Sequence, residues 1–282
     1  MGKWQCLPHC PTQHAKAYAF QALHNRPGAF VIPNPWDAGS ARLLASLGFE
    51  ALATTSAGLA FSLGRPDGAR RVSRDETLAN ARAIVDSVAI PVSGDLEKGF
   101  GDSPEAVAAT IQLAAGIGLV GGSIEDASGD PASPIYPIEL AVERVAAAVE
   151  VARALPFPFI LSARAENFLH GRPDLDDTIR RLQAFGAVGA DVLYAPGLPS
   201  LDAVRTVCAA VSKPVNVLAG PGYSVEALAE AGAKRISLGS GLSRVALGAF
   251  LRAAEEMANT GSFDCLADAY PYGSINTRMG GN

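Results

Sequence analysis

What this sequence lacks narrows it first. It has no run of Lys and Arg interleaved with aromatics, and its formal net charge is −5, so the footprint of a nucleic-acid binder is missing. No uninterrupted apolar segment is long enough to span a bilayer, and the start, Met1-Gly2-Lys3-Trp4-Gln5-Cys6-Leu7-Pro8-His9-Cys10, lacks the apolar stretch of a signal peptide. A cytoplasmic location with neither membrane nor nucleic-acid partners is the expectation. The four cysteines, Cys6, Cys10, Cys208 and Cys265, are too scattered for a disulfide framework in so long a chain, which predicts free thiols. Cys6, His9, Cys10 and His14 lie close together, but their spacing matches no standard zinc finger and the segment reads as a polar tail. No Gly-x-Gly-x-x-Gly opens a first helix, which weakens a dinucleotide fold.

What is present is a chain rich in Ala, Val, Leu and Gly, able to bury a large core. A length of 282 residues admits one or two domains, since single barrels reach about 250 residues. Junctions of one type recur: Ala45 to Leu52, Ala114 to Val120, Ala187 to Leu193 and Ala231 to Ile236 each place a glycine just past a helix and an apolar strand after it. Ser73 with Glu76, and Asp102 with Glu105, have the form of capping boxes; Ser200 and Ser224 are further candidate caps. Eight strands are predicted near residues 30–33, 50–54, 90–95, 119–125, 158–164, 191–195, 214–218 and 235–239. Eight β-then-α units argue for an α/β protein with a (β/α)8 TIM barrel over an open doubly wound sheet. The expected layout is a tail and helix over 1–27, a catalytic barrel over 28–250, and the end of a C-terminal helix plus a tail over 251–282.

One stretch of this pattern is chemically unusual. The apolar run into Pro91-Val92-Ser93-Gly94 ends in Asp95-Leu96-Glu97 and then a glycine turn. Residues two apart on a strand share a face, so Asp95 and Glu97 are expected to converge. Converging carboxylates repel unless a cation sits between them, and a hard divalent ion such as Mg²⁺ is the economical candidate; an exposed acidic turn is the plain alternative. Barrel active sites lie at the C-terminal ends of the strands, and the other strands deliver Asn34, Trp36 and Asp37, Thr54 to Ser56, Glu125 and Asp126, Arg164 and Glu166, Tyr194, and Asn216 to that rim. Arg164 has the fork to grip a substrate carboxylate or phosphonate, or to pair with Glu166 or Glu125. The polar loop from Ala127 to Tyr136 has the residues of a mobile flap.

The order Asn34-Pro35-Trp36-Asp37-Ala38, Thr55-Ser56-Ala57-Gly58, Leu63-Gly64-Arg65-Pro66-Asp67, Asp95-Leu96-Glu97-Lys98-Gly99-Phe100-Gly101, Ile124-Glu125-Asp126 and Ala163-Arg164-Ala165-Glu166 resembles the isocitrate lyase and phosphoenolpyruvate mutase superfamily over about residues 28 to 250. The resemblance implies a barrel whose C-terminal helix is exchanged between subunits of a homodimer or homotetramer. It also implies a Mg²⁺ site, with Mn²⁺ as a substitute, acting on a small α-keto or α-hydroxy carboxylic acid. Carried over by motif, Asp95 ligates the ion directly, while Glu97, Glu125 and Asp67 hold it through water. Ser56, with the backbone of Ala57 and Gly58, receives the substrate carboxylate; Arg164 and Asn216 complete the pocket, and Trp36 packs beside the substrate. Arg164, Glu125 and Asp67 are the residues expected to act in catalysis.

The loop after strand four departs from that family's lyase branch. Where that branch carries a Lys-x-Cys-Gly-His type motif, this chain reads Ala127-Ser128-Gly129-Asp130-Pro131-Ala132-Ser133-Pro134-Ile135-Tyr136, with neither Cys nor His, and it also lacks the lysine and asparagine loop of the mutase branch. After strand six it has Ala195-Pro196-Gly197 in place of a Pro-Glu pair. The chemistry that survives is cleavage next to an α-keto acid through a metal-stabilised enolate: decarboxylation of an oxaloacetate-like acid, or carbon–carbon cleavage of a 2-methylisocitrate or dimethylmalate type, as a carboxy-lyase or oxo-acid lyase. Tyr136, Asp130 and Glu166 are the candidate proton donors. The competing expectations are phosphonopyruvate hydrolysis or mutation, and a barrel that binds keto acids without turning them over.

Overall fold

The computed structural model describes residues 11–68 and 71–280. In chain order it contains α1 (Gln13–Asn25), β1 (Phe30–Ile32), α2 (Ala38–Ser46), β2 (Leu52–Ala53), α3 (Ser56–Ser62), α4 (Arg74–Ser87), β3 (Val92–Asp95), α5 (Pro104–Gly116) and β4 (Gly121–Glu125). There follow α6 (Ile138–Ala154), β5 (Ile160–Arg164), α7 (Leu175–Ala187), β6 (Val192–Tyr194), α8 (Leu201–Ala210), β7 (Val215–Leu218), α9 (Val225–Glu230), β8 (Arg235–Ser237), α10 (Gly241–Thr260), a 3-10 turn and α11 (Tyr272–Gly280). The eight strands are parallel and ordered β1-β8-β7-β6-β5-β4-β3-β2, which is the predicted (β/α)8 barrel. The seam between β1 and β2 is closed by Ala53 N–H donating to the Pro33 carbonyl at 3.1 Å, and by Asn34 Nδ2 donating to the Thr54 carbonyl at 3.1 Å. Asn34 Oδ1 also accepts from the N–H groups of Leu238 and Gly239, so one buried amide ties β1, β2 and the end of β8 together.

Most of the local signals hold. Ser73 and Glu76 form the capping box of α4, and Ser200 and Ser224 cap α8 and α9. The box expected at Asp102 does not form. Ser103 caps α5 instead, because the Asp102 carboxylate is engaged by Lys98 and by the Tyr136 hydroxyl. Cys6, His9 and Cys10 lie outside the described residues, and His14 packs its ring against Phe157 at 5.1 Å. The C-terminal tail turns back on its own chain: α11 lies on α2, with Arg278 donating to Ser46 Oγ at 2.8 Å. No helix among the described residues is long and apolar enough to cross a membrane.

α1 closes the N-terminal end of the barrel. Phe20 is fully buried over Gly121, where an added Cβ would sit 2.9 Å from Phe20 Cε1 and 2.8 Å from the Ile160 carbonyl oxygen, so the start of β4 admits no side chain. One turn on, His24 is held edge-on between the rings of Phe20 and Phe30, its Nε2 buried without a partner. Burial first, then the charge of Arg235, lowers its pKa from 6.5 to about 3.

Because the folded state resists protonation that the unfolded chain accepts, the contribution of His24 is complete above about pH 6.5 and is lost as pH falls toward 3. Urea unfolding at about pH 7 and about pH 5 should therefore show a loss about 2 kcal/mol larger in the wild type than in His24→Leu, at roughly 1.4 kcal/mol per pH unit. Equal losses in both proteins would assign the acid sensitivity to other groups.

Candidate active site

Alternation along the strands sends one residue of each adjacent pair into the barrel. At the C-terminal ends of β3, β4 and β5 these inward residues are Asp95, Glu125 and Arg164, with Glu125 and Arg164 paired in register. Arg164 uses its whole fork: Nε reaches Glu166 Oε1 at 2.8 Å, Nη1 reaches Asp95 Oδ1 at 3.0 Å, and Nη2 reaches Glu125 Oε2 at 3.2 Å. Burial by itself would lower the pKa of Arg164, but the charges of Glu166, Glu125 and Asp95 outweigh it and raise it well above the ordinary value. Of the two expectations for this residue, the structure displays the ion-pair network. Asp95 is fixed from its other side by the Ser56 N–H, which donates to Oδ2 at 2.9 Å, while its own N–H donates to Thr54 Oγ1 at 2.8 Å.

Glu97 reaches the site by a different route from the one its spacing suggested. β3 ends at Asp95, Leu96 is buried, and Glu97 stands in the left-handed region at φ 48°, as does Phe100 at φ 59°. Such backbone costs about 1–3 kcal/mol per residue and persists only where surroundings enforce it. Here the enforcing group is Arg144 of α6, fully buried, whose guanidinium donates to the carbonyls of Lys98, Gly101 and Asp102 and stacks 4.3 Å from the Tyr136 ring. No motif pointed to Arg144; a lone arginine on an otherwise apolar helix face was the available signal.

Ser56, Ala57, Asp67, Asp95, Arg164 and Asn216 line a cavity of about 180 Å³ that opens at this end of the barrel. Trp36, Gly58, Glu97 and Glu125 do not line it. A Cβ at Gly58 would meet Thr55 Cγ2 at 2.6 Å and Trp36 Cβ at 2.9 Å, so α3 packs closely on Trp36. The loop from Ala127 to Tyr136 is not an open flap. Ala127 pairs with Ile135 as an antiparallel bridge, Ser128 N–H donates to the Pro134 carbonyl at 2.9 Å, and Lys98 Nζ donates to the Ser128 carbonyl at 2.8 Å. Tyr136 is directed to Asp102 and Asp130 is exposed, and neither they nor Glu166 line the cavity. Among the residues that do, the sequence reading passed over Arg235 and Ser237, which point inward from β8; a charged residue inside a strand was the signal.

The acids carry more negative charge than Arg164 offsets. Burial, then Asp95 and Asp67, push Glu97 up to about 7; burial and then Asp95 raise Asp67; burial raises Glu125 well above its ordinary value despite Arg164. Among the described residues no three acidic, His or Cys side chains converge closely enough to ligate one ion directly. An all-oxygen set with one anchored carboxylate, Asp95, and further acids at a distance fits a hydrated Mg²⁺ that keeps most of its waters.

Comparison with known proteins agrees with this geometry. The family model described as phosphoenolpyruvate phosphomutase matches residues 20–258. The crystal structure of a candidate lyase/mutase from Burkholderia cenocepacia J2315 superposes with a TM-score of 0.91 at 58% identity, covering 94% of this chain and 95% of that one. The 2-methylisocitrate lyase of Escherichia coli is 31% identical across 72% of this chain and 69% of its own. An oxaloacetate decarboxylase of Marinomonas is 29% identical across 74% of this chain and 72% of its own. With the family model covering most of the barrel and its strand ends carrying the expected acids and arginine, this chain belongs to the phosphoenolpyruvate phosphomutase family, within the isocitrate lyase/PEP mutase superfamily of lyases and mutases.

Proposed function

We propose that this enzyme is a Mg²⁺-dependent lyase that breaks a bond beside the keto-acid group of a small carboxylic acid, by decarboxylating an oxaloacetate-like acid or cleaving a carbon–carbon bond. The observation that carries the reading is the clasp of Arg164 on Asp95, Glu125 and Glu166 at the edge of a small cavity. Asp95 would hold Mg²⁺ directly, with Glu97, Glu125 and Asp67 acting through water, and the ion would supply Lewis-acid polarisation of the keto-acid group. Arg164, 3.0 Å from Asp95 and largely shielded from water, would offset the charge that builds on a substrate oxygen during cleavage. Ser56 and Ala57 bound the cavity next to Asp95 and position the substrate's carboxylate end.

Among the described residues, no Cys, His or Lys lines the cavity. Loss of carbon dioxide from a β-keto acid needs no protein base at the breaking bond, only relief of the charge left behind, which favours decarboxylation within this reading. Cleavage of a hydroxy acid requires a base for the hydroxyl proton. Asp67, lining the cavity with its pKa raised by burial and by Asp95, is the group placed for that role. The names of the E. coli and Marinomonas relatives cover both chemistries.

The assembly belongs to the same proposal. α10 buries only Ser243 within its own chain and exposes Val245, Phe250 and Leu251, an apolar face suited to exchange with a second copy in a homodimer or homotetramer.

These readings have direct checks. Asp95→Ala should weaken Mg²⁺ binding at least tenfold by calorimetry, and unchanged affinity would place the ion elsewhere. Arg164→Met should lower turnover by about 10²- to 10³-fold and reduce stability by roughly 3 kcal/mol, because it leaves buried carboxylates unpaired. Metal-loaded protein should turn over oxaloacetate, 2-methylisocitrate or dimethylmalate; phosphate release from phosphonopyruvate alone would establish the hydrolase or mutase reading, and keto-acid binding without any turnover the non-catalytic one. Phe250→Asp should convert the oligomer to a monomer in light scattering, and an unshifted mass would exclude α10 from the interface.

A further inference from the structure

The buried cation that the proposed chemistry leaves unused is Arg235. It opens β8 and points into the barrel, deeper than the acids because the first residue of a parallel strand lies away from the end at which Asp95 and Arg164 sit. Its side chain lines the same cavity, yet the residue is only 4% exposed. Nε donates to Asn216 Oδ1 at 2.8 Å, whereas Nη1 is buried with no hydrogen-bond partner. No ion pair among the described residues includes Arg235, and the carboxylates of Asp95, Glu125 and Glu166 are already clasped by Arg164. A buried guanidinium without a counter-ion is costly and is retained where something else neutralises it.

The groups around it are arranged to keep it aimed. Asn216 has both amide atoms committed, Oδ1 to Arg235 and Nδ2 to Ser237 Oγ at 2.9 Å, and the Ser237 hydroxyl bonds to the Tyr194 phenol. Asn216 is thereby a positioning residue for Arg235. Burial, and after it the charge of Arg164, lowers the pKa of Arg235 to about 10, so it stays cationic at neutral pH. The planar fork matches a carboxylate in two places.

We infer that Arg235 is an anion-binding residue on the floor of the cavity that receives a second carboxylate of the substrate, so that the acid this enzyme acts on is anionic at two ends. One end, in the reading proposed above on which this inference rests, is the keto-acid group at Asp95; the other lies toward β8.

The test is calorimetry on wild type, Arg235→Met and Arg235→Lys with two probes: malonate without metal, and pyruvate with Mg²⁺. Malonate affinity should fall tenfold or more in Arg235→Met and recover in part in Arg235→Lys, which also serves if the methionine variant does not fold. Pyruvate affinity should stay within about threefold in both variants. Malonate binding that ignores the substitution, or that is absent from the wild type, overturns the floor subsite, as does an equal loss of pyruvate and malonate. Failure of pyruvate to bind wild type would instead sink the keto-acid reading, because the malonate titration uses neither metal nor keto group.

Discussion

A guanidinium buried among three carboxylates is the constraint on which the rest of this site depends. Arg164 pairs with Asp95, Glu125 and Glu166, and their charges raise its pKa well above the ordinary value although burial opposes this. Such clusters contribute little net stability over an apolar core, because desolvating each ion costs several kcal/mol, but removing one member leaves the others stranded. The barrel therefore carries this network at its strand ends at some expense to stability. What it gains is a preorganised field at the mouth of a cavity, with no reorganisation needed when charge develops there.

The frame around that network is held by single buried polar side chains doing the work of longer ladders. Asn34 joins three strands where β1 and β2 share no full ladder, and Arg144 supports the strained turn that presents Glu97. Both act by collecting backbone groups that the barrel closure and the tight turn would otherwise leave unpaired in the interior. Deeper in, Asn216 and Ser237 do the same for a side chain, keeping Arg235 directed at the cavity. The interior is thus polar along its axis and apolar between strands and helices, where Leu52, Ile84, Ile111, Leu119 and Phe185 pack.

The loop after β4, Ala127 to Tyr136, carries neither Cys nor His. In place of such groups there is a short hairpin pinned by Lys98, with Tyr136 bound to Asp102 on the far side of the turn. The groups that do face the cavity are carboxylates at its rim and a guanidinium at its floor, an arrangement suited to holding a small polyanionic acid and tolerating the charge released when a bond breaks.

The sequence by itself determined the barrel. Strand and helix signals are local, set by alternation, caps and glycines just past helix ends, so eight βα units could be counted with strand positions good to a residue or two. It also determined which acids and which arginine stand at the strand ends, since alternation carries Asp95, Glu125 and Arg164 inward. Tertiary structure decided the rest. Glu97 was expected on the strand with Asp95 and instead turns in from a left-handed residue, a conformation imposed by Arg144 from a helix some 45 positions later. The close packing of α3 on Trp36, which leaves no room for a side chain at Gly58, is likewise a tertiary contact. The loop read as a flap is pinned by a lysine whose partners come from distant segments, and Arg235, one charged residue in a strand, acquires meaning only when the barrel closes and brings β8 beside β7. Local propensity depends on neighbours in the chain, whereas burial, pairing and field depend on which segments close up in space, and that information is not contained in any single stretch.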